Sequence, residues 1–356
     1  MRLILTGDAF FCRRHKGLGP ALAKRLGSAD ILPTGNILEI LPFRVLNRAA
    51  RGPLRQPIQS YLNSFDRKAK GYALRSQQTE RKLRRLAPDY VLHLFSSFAP
   101  VWTNDQRFGM YLDFTMAQAV RQWPPWAAFD GIAELNRWLA FEKRSYDQAE
   151  SIFVMGASVA ASLAADYGIP ERKISIVGSA TDLGHPPDGE RSFGSKMILF
   201  YGSEFERKGG DILLQAFGLV RLAVPDARLI VIGTDRPIGD PGVSVLGIVP
   251  QAKVSELLLQ ADIVAAPARC EPFTTFVVEA MNYGTPCIVT RASGISEQID
   301  GGGVILEHLD ASLLAEALIS LLSNPARLRR MSASARKVIV ERLNWDSVAS
   351  RIAASI

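Results

Sequence analysis

The sequence has few cysteines, and their arrangement excludes two classes of protein. Cys12, Cys270 and Cys287 are an odd number of cysteines and form no C-x-x-C pair. This argues against a disulfide framework and against a zinc site, and it favours a reducing compartment. We therefore expect a cytoplasmic protein.

Long apolar runs are also missing. The two longest stretches without formal charge, residues 90–104 and 151–165, have 15 residues each and include polar side chains. Neither reaches the roughly 18 to 20 apolar residues that a membrane span needs. The first residues, MRLILTGDAFF, lack the small-residue cleavage site of a secretory signal. We expect a chain that is soluble or attached only peripherally to the inner face of the cell membrane.

Short apolar runs alternate with helix-length segments along most of the 356 residues. This alternation is typical of a parallel sheet covered by helices on both faces, so the expected fold class is α/β. The predicted strands are residues 2–6, 90–94, 109–112, 151–155, 174–177, 197–202, 228–233, 262–268, 287–290 and 303–306. The predicted helices are residues 20–26, 133–149, 157–167, 211–222, 253–260, 275–283 and 311–322.

The alternation is interrupted once. Residues 178–195 are rich in Gly, Pro, Ser and Asp and have no apolar periodicity, which indicates a linker. A boundary near residue 185 gives two doubly wound Rossmann-like domains, residues 1–185 and 186–340. Such folds bind ligands at the C-terminal edges of their sheets, so we expect the chemistry in a cleft between the domains.

The segment EPFTTFVVEAMNYGTPCIVT places two carboxylates, Glu271 and Glu279, eight residues apart around the start of a predicted helix. A helix N-terminus carries unpaired N–H groups and a partial positive charge, so the amides of Phe273, Thr274 and Thr275 suit an anionic phosphate. Carboxylates beside that position suit sugar hydroxyls. The arrangement favours a nucleotide sugar as ligand.

A second motif, FYGSEFERKGG, places Arg207 and Lys208 in a loop after a predicted strand, directly before two glycines. Two fixed positive charges beside a flexible backbone suit a diphosphate. The same charges would stabilise the diphosphate as it leaves with additional negative charge, which is how preorganised electrostatics lowers the barrier of a glycosyl transfer.

The E-x7-E pair of Glu271 and Glu279, with ERKGG upstream, resembles the retaining nucleotide-sugar glycosyltransferases of family 4, which have the two-domain GT-B fold. The resemblance covers most of the second half. In the first half, FVMGASVAASLAADYGIPERKISIVG is similar to the last helix-and-strand unit before the linker in that family. The resemblance implies that Glu271 contacts the transferred sugar, Glu279 binds the ribose hydroxyls, and Arg207 and Lys208 bind the diphosphate. It also implies that residues 341–356 form a final helix that crosses back to the first domain.

The chain departs from the family pattern at two positions. Many members have Arg directly after the strand glycine, where this chain has Ser203, and Arg207 then supplies the charge. Thr274 replaces a glycine of the common Glu-Gly-Phe-Gly start, which affects the identity of the donor sugar more than the fold. The chain has no Asp-x-Asp, the metal-diphosphate motif of the other large glycosyltransferase fold. We expect metal-independent transfer without a cofactor beyond the nucleotide-diphosphate sugar.

The first half offers weaker candidates. RRHKGLG follows the first predicted strand, and Gly17 would let the backbone approach a ligand. Asp113 and Thr115 come just after a predicted strand, where many family members have a His that holds the donor sugar; we take Asp113 as a candidate catalytic residue. His93, within YVLHLF, is a lesser candidate, since an interior histidine is more often a packed residue.

Basic charge is concentrated at the start of the chain. Residues 1–90 hold 18 basic and 6 acidic side chains, whereas the whole chain has a net charge of +7. In residues 41–70 and 79–86, apolar residues interleave with Arg and Lys, which suits an anionic lipid surface or a glycan or lipid-linked acceptor. No recognition helix or aromatic RNA-binding motif accompanies them, so we expect no nucleic-acid partner.

The leading hypothesis is a retaining glycosyltransferase of cell-surface glycan or glycolipid biosynthesis. Two alternatives stay open. One is a phosphorylase or epimerase on the same fold. The other is a catalytically silent subunit that binds a nucleotide sugar, for which Ser203 and Thr274 are the motivation.

Overall fold

A computed structural model describes residues 1–39, 68–103, 105–184, 186 and 191–356 of the chain, together with residues 45, 56 and 65. These residues divide into two compact units, Met1–Val177 with Val348–Ile356, and Gly178–Ser347. The boundary between the two units thus lies at Gly178, the first residue of the predicted linker. From the composition of that linker we expected the boundary near residue 185.

The first unit is built around a parallel sheet of six strands. The strands are β1 (Arg2–Gly7), β2 (Ser28–Pro33), β3 (Tyr90–Leu94), β4 (Phe108–Leu112), β5 (Ser151–Val154) and β6 (Ile174–Ile176). The described helices are α1 (Ala9–Arg14), α2 (Leu18–Leu26), α3 (Ala69–Leu86), α4 (Met116–Gln122), α5 (Ile132–Gln148) and α6 (Ala157–Tyr167). The strand order is β2-β1-β3-β4-β5-β6, and every pairing is parallel.

The second unit repeats this plan. Its strands are β7 (Met197–Tyr201), β8 (Arg228–Ile232), β9 (Val243–Val245), β10 (Ile263–Ala266), β11 (Cys287–Thr290) and β12 (Gly303–Leu306). Its described helices are α7 (Gly210–Ala223), α8 (Gln251–Gln260), α9 (Thr275–Asn282), α10 (Ala311–Leu322) and α11 (Pro325–Glu341). The order is β12-β11-β10-β7-β8-β9, again parallel throughout.

The last helix, α12 (Trp345–Ala353), returns the chain to the first unit. The Arg351 guanidinium donates a hydrogen bond to the carbonyl oxygen of Val177 at 2.7 Å. Ser151 donates from Oγ to the carbonyl oxygen of Ser355 at 3.3 Å.

Short 3-10 helices lie at Ile37–Glu39, Pro124–Ala127, Glu171–Lys173 and Ser296–Gln298.

The strand sequences explain why these segments are central. YVLHL of β3 and FGMYL of β4 are buried at every residue. A parallel strand covered by helices on both faces reads as a nearly continuous apolar run rather than an alternating one. The core of the second unit likewise joins Ile198 and Phe200 of β7 to Leu213 and Phe217 of α7. The predicted α/β class with two doubly wound domains is confirmed.

Two edge strands escaped prediction. β2 is only half-buried, and its sequence SADILP contains an aspartate and a proline. β9 has three residues, VSV. Edge strands lie partly in solvent, so their sequences lose the apolar continuity that identifies central strands.

The predicted basic surface at residues 41–70 lies outside the described residues, apart from residues 45, 56, 65 and 68–70. The other basic segment, residues 79–86, forms the C-terminal half of α3.

Candidate functional site

The second sheet has a switch point between β7 and β10. From β7 the order continues to β8 and β9 on one side, while β10 continues to β11 and β12 on the other. The loops after β7 and β10 therefore leave adjacent strands in diverging directions, and open α/β sheets bind ligands at such a point. Both sequence motifs of the second half lie in these two loops.

The structure brings Arg207 of the β7 loop and Glu271 of the β10 loop into contact. Arg207 donates from Nη1 to Glu271 Oε2 at 3.1 Å and to the carbonyl oxygen of Cys270 at 2.6 Å. It also forms a paired contact with Glu204, from Nε at 3.0 Å and from Nη2 at 2.9 Å. The Arg207 side chain is only 4% exposed. The guanidinium thus fixes the backbone and the carboxylate of the β10 loop together.

Arg207 stays positively charged in this environment. Burial works against the charged form, but the hydrogen bonds and negative charges of Glu204 and Glu271 outweigh it and raise the pKa of Arg207 above its ordinary value. Removing one partner of a buried ion pair typically costs about 3 to 5 kcal/mol because a buried charge is left uncompensated. Arg207 is therefore a rigid part of the site.

Lys208 approaches Glu271 from another side. Its Nζ donates to Glu271 Oε2 at 2.8 Å, and the two side chains are 13% and 12% exposed. The same Nζ lies 5.3 Å from the centroid of the Tyr201 ring, within the range of a cation–π interaction. One carboxylate oxygen thus accepts hydrogen bonds from both predicted cations.

Gly209 allows the two loops to approach so closely. Its φ is +76°, and a Cβ at this position would lie 2.0 Å from the carbonyl oxygen of Pro267. Arg269 adds a second link between the loops, because its guanidinium donates two hydrogen bonds of 2.6 Å to the Asp211 carboxylate. The sequence ERKGG therefore serves loop packing as well as charge.

A small cavity opens beside the ion pairs. Its lining combines two charged side chains, two side chains with hydroxyl groups, and apolar side chains, namely Lys208, Glu271, Thr274, Tyr201, Phe200, Phe276, Ala265, Ala266 and Ala268. The rings of Tyr201 and Phe276 lie 5.4 Å apart, centroid to centroid. Such a mixture of apolar walls and a few convergent polar groups is typical of ligand sites.

The helix of the E-x7-E segment begins where expected, since α9 starts at Thr275 with Thr274 at its N-cap. Phe273 and Thr274 are each 5% exposed, which places the helix N-terminus against the cavity that Thr274 lines. Further along α9, Glu279 accepts a hydrogen bond from Thr181 Oγ1 at 3.5 Å. Ser203 is half-buried in the β7 loop.

The first-half candidates lie at the carboxyl edge of the other sheet. Asp113 follows β4 directly, and Gly17 precedes α2. Thr115 is the N-cap of α4 and forms a capping box with Gln118. The structure therefore gives Thr115 a local structural role, while Asp113 stands half-buried between strand and helix.

His93 is a packed interior residue. Its Nδ1 and Nε2 lie 2.8 Å from Thr6 Oγ1 and from the carbonyl oxygen of Phe98, respectively. It is fully buried, and burial lowers its pKa to about 3. A neutral ring with both nitrogens engaged has a structural role, as expected for the lesser candidate.

Sequence reasoning missed several buried charged residues of the first unit, Arg75 and Glu142 among them. Arg75 of α3 donates from Nε to the carbonyl oxygen of Gly35 at 2.8 Å and from Nη2 to Asp8 Oδ2 at 3.1 Å. Glu142 of α5 is 2% exposed. Both lie in helices with polar faces, so nothing in the sequence distinguishes them from solvated charges.

Two negative findings concern the described residues only. Within the described ranges, no group of three or more His, Cys, Asp or Glu side chains is placed to hold a metal ion. No helix in the same part of the chain is both long and apolar enough to cross a bilayer.

Comparison with known proteins bears on the second unit most directly. Residues 187–338 match the family model described as glycosyl transferases group 1. Over 239 residues the chain is 26% identical to the MMP alpha-(1->4)-mannosyltransferase of Mycolicibacterium hassiacum. The aligned residues cover 62% of this chain and 57% of that protein. Over 217 residues it is 27% identical to the D-inositol 3-phosphate glycosyltransferase of Segniliparus rotundus, and the aligned residues cover 53% of this chain and 48% of that protein. The chain thus spans about half the length of the curated relatives it matches.

The fold comparison extends over the whole chain. The structure of sucrose-phosphate synthase from Thermosynechococcus elongatus matches with a TM-score of 0.70 at 16% identity, covering 99% of this chain and 97% of that one. At this identity the likeness concerns the fold alone. It confirms the predicted GT-B architecture of two Rossmann-like domains.

Proposed function

We propose that the chain transfers a sugar from a nucleotide-diphosphate donor to an acceptor hydroxyl in glycan or glycolipid biosynthesis, and the match of residues 187–338 to the model of the glycosyl transferases of group 1 supports this. The names of the two relatives, a mannosyltransferase and an inositol-phosphate glycosyltransferase, support this class of reaction. We further propose that the sugar keeps its anomeric configuration, as in the family that the E-x7-E segment resembles.

The observation that carries the proposal is the contact of Lys208 with Glu271 at the switch point of the second sheet. A cation and a carboxylate share one small cavity with the N-terminus of α9. A diphosphate is attracted by the ammonium group and by the helix N-terminus, while sugar hydroxyls suit the carboxylate. A nucleotide-diphosphate sugar offers both kinds of group.

In this reaction, Lys208 and the amides of Phe273, Thr274 and Thr275 hold the diphosphate as negative charge develops on it. Glu271 orients the sugar. Donor binding to Lys208 would exchange the ammonium–Glu271 contact for an ammonium–phosphate contact, which leaves Arg207 as the remaining cation at Glu271 Oε2. An oxygen of the leaving diphosphate takes the proton of the acceptor on the same face of the sugar.

The remaining predicted residues complete the proposal. Arg207 acts mainly through Glu271, because its guanidinium is buried against that carboxylate, and it adds positive potential for the diphosphate. Glu279 binds the ribose hydroxyls, and Ser203 is part of the donor loop. In the first unit, Asp113 acts on the reacting sugar and Gly17 contributes to donor binding. We also propose that the basic residues 41–70 and 79–86 bind anionic lipid or a lipid-linked acceptor.

Substituting Glu271→Gln tests the central assignment. The amide keeps the shape and one accepting oxygen but weakens the contacts to sugar hydroxyls in the transition state, so we expect turnover to fall by about 100-fold or more. Nucleotide affinity should stay within about threefold, because Lys208 and the helix N-terminus remain. The measurement needs a preceding thermal-shift screen with UDP, GDP, ADP and dTDP and their sugars to find the donor.

The exposed Glu256 of α8 provides a matched control, since Glu256→Gln makes the same chemical change away from the cavity and should leave turnover unchanged. Near-normal turnover of Glu271→Gln would contradict the proposed role.

Donor hydrolysis by the wild-type protein separates an enzyme from a silent binding subunit, and product formation without inorganic phosphate separates a transferase from a phosphorylase. Because we propose metal-independent chemistry, EDTA should leave the rate unchanged, and a loss restored by manganese would contradict it.

A further inference from the structure

Glu142 is a carboxylate in the interior of the first unit. It lies on α5 and is 2% exposed. A buried carboxyl group is costly unless hydrogen-bond donors surround it. Its neighbours therefore indicate what the side chain holds in place.

Three donors from three different segments converge on this carboxylate. Ser96 donates from Oγ to Oε1 at 2.9 Å, and the backbone N–H of Met116 donates to Oε2 at 3.2 Å. The Tyr167 hydroxyl of α6 also donates to Oε2. Both oxygens of Glu142 are thus engaged.

Two of these segments lie at the carboxyl edge of the sheet. Ser96 belongs to the loop after β3, which includes Phe95 at a left-handed φ of +68°. Met116 is the first residue of α4, in the turn that follows β4 and contains Asp113. β3 and β4 are neighbouring strands. One side chain from α5 therefore ties together two neighbouring loops at the carboxyl edge of the sheet, which is the edge where doubly wound sheets bind ligands.

Further bonds converge on the start of α4. Ala117 donates its N–H to the Tyr167 hydroxyl at 3.2 Å. Thr115 Oγ1 lies 2.7 Å from Ser162 Oγ of α6. The start of α4 is thus held from α5 and α6 together, with Glu142 as the buried acceptor at the centre.

We propose that Glu142 is a positioning residue that clamps the loops after β3 and β4 and thereby holds Asp113 in place for transfer to the acceptor. The inference rests on the proposed function for the role of Asp113. The clamp itself stands on the hydrogen bonds of Glu142 with Ser96, Met116 and Tyr167.

The clamp does not depend on a single ionisation state. The titratable groups that face Glu142 are tyrosines, namely Tyr72 of α3, Tyr146 of α5 and Tyr167 of α6. Burial raises the pKa of Glu142 to about 7. If Oε1 gains a proton, it donates to Ser96 Oγ, while Oε2 still accepts from Met116. Glutamine can form the same pattern, whereas leucine cannot.

Hydrogen exchange of the full chain tests the clamp without an activity assay. In Glu142→Leu, amides of residues 114–122 should exchange about tenfold faster, because Met116 loses its acceptor and the start of α4 loosens. Glu142→Gln should exchange like the wild type. Asp147→Leu, which changes an exposed carboxylate on the same helix, is the matched control and should also leave this segment unchanged.

Peptides of β1 (Arg2–Gly7), an inner strand of the first unit, report on unfolding of that whole unit. If Glu142→Leu changes them too, Tyr167→Phe takes its place, since it removes one donor to Oε2 and should speed exchange at residues 114–122 about threefold. Unchanged exchange in this segment, or equal loosening by Glu142→Gln, would overturn the clamp.

Kinetics then tests the positioning role. Glu142→Leu should lower kcat and kcat/KM for the acceptor about tenfold or more while the affinity for the free nucleotide stays unchanged, and Glu142→Gln should restore both kinetic constants. A variant with faster exchange but normal acceptor kinetics would show that Glu142 only stabilises the fold. If the wild type transfers no sugar at all, the proposed function fails, while the exchange result still decides whether the clamp exists.

Discussion

Replacing Glu142 with glutamine should remove a pH dependence of stability that originates in one buried carboxyl group. Burial raises the pKa of Glu142 from an ordinary 4.5 to about 7. A group whose pKa is higher in the folded state binds its proton more tightly there, so it stabilises the fold while it is protonated. This contribution is complete below pH 4.5 and is lost as the pH rises through 7.

The magnitude follows from the size of the shift. Each pKa unit corresponds to about 1.4 kcal/mol, so a shift from 4.5 to about 7 corresponds to about 3 kcal/mol. The free energy of unfolding of the wild type should therefore fall by about 3 kcal/mol relative to Glu142→Gln between pH 4.5 and pH 8. His15 and His93 have pKa values lowered by burial, to about 4 and about 3, and oppose this trend at low pH. They are present in both proteins and cancel in the difference.

Urea unfolding at a series of pH values, followed by tryptophan fluorescence, measures the difference. Four of the five tryptophans, Trp102, Trp123, Trp126 and Trp138, lie in the first unit with Glu142, so the signal reports mainly on that unit. The control Asp147→Asn changes an exposed carboxyl on the same helix and should leave the pH dependence as in the wild type. A difference between wild type and Glu142→Gln that stays constant from pH 5 to pH 8 would refute the reasoning.

Two further predictions concern the loops and the surface. Gly209→Ala should destabilise the second unit by about 2 kcal/mol or more, because alanine is strained at a φ of +76° and its Cβ would meet the Pro267 carbonyl oxygen. The control is Gly218→Ala, in the middle of α7 with open space around it, which should instead stabilise the second unit by about 0.5 to 1 kcal/mol. Thermal unfolding measures both changes, and equal destabilisation by the two substitutions would contradict this explanation. The proposed lipid surface predicts that the protein sediments with anionic liposomes and is released by rising salt; equal partition onto neutral and anionic liposomes would exclude it.

Much of the fold was predictable from local sequence. MILFY of β7 and CIVT of β11 are buried at nearly every residue, and a continuous apolar run of this length between helical segments has few other structures open to it. β2 and β9 were not predicted in this way: the sequence of β2 contains an aspartate and a proline, and β9 has only three residues. Cys270 is completely buried, and this burial raises the pKa of its thiol to about 12.

The candidate site was predictable to a similar extent. Glu271, Arg207 and Lys208 stand next to strand ends and glycines, so their positions at the carboxyl edge follow from the order of elements along the chain. The different roles of the two cations could not be predicted from the sequence, since Arg207 and Lys208 are neighbours of like charge. Only the fold shows that Arg207 is buried against Glu204 and Glu271, whereas Lys208 lines the cavity.

The sequence by itself determined the alternation of strands and helices, the fold class and the loops that carry the charged motifs, because periodicity and turn residues act over a few positions. Only the tertiary structure decided which charges are buried, and therefore which act by positioning others. Arg75 and Glu142 appear in the sequence as ordinary polar residues of amphipathic helices. Their partners, Asp8, Ser96, Met116 and Tyr167 among them, are 25 to 67 residues away along the chain. A buried charge is identified by such distant neighbours, and folding alone brings them into contact.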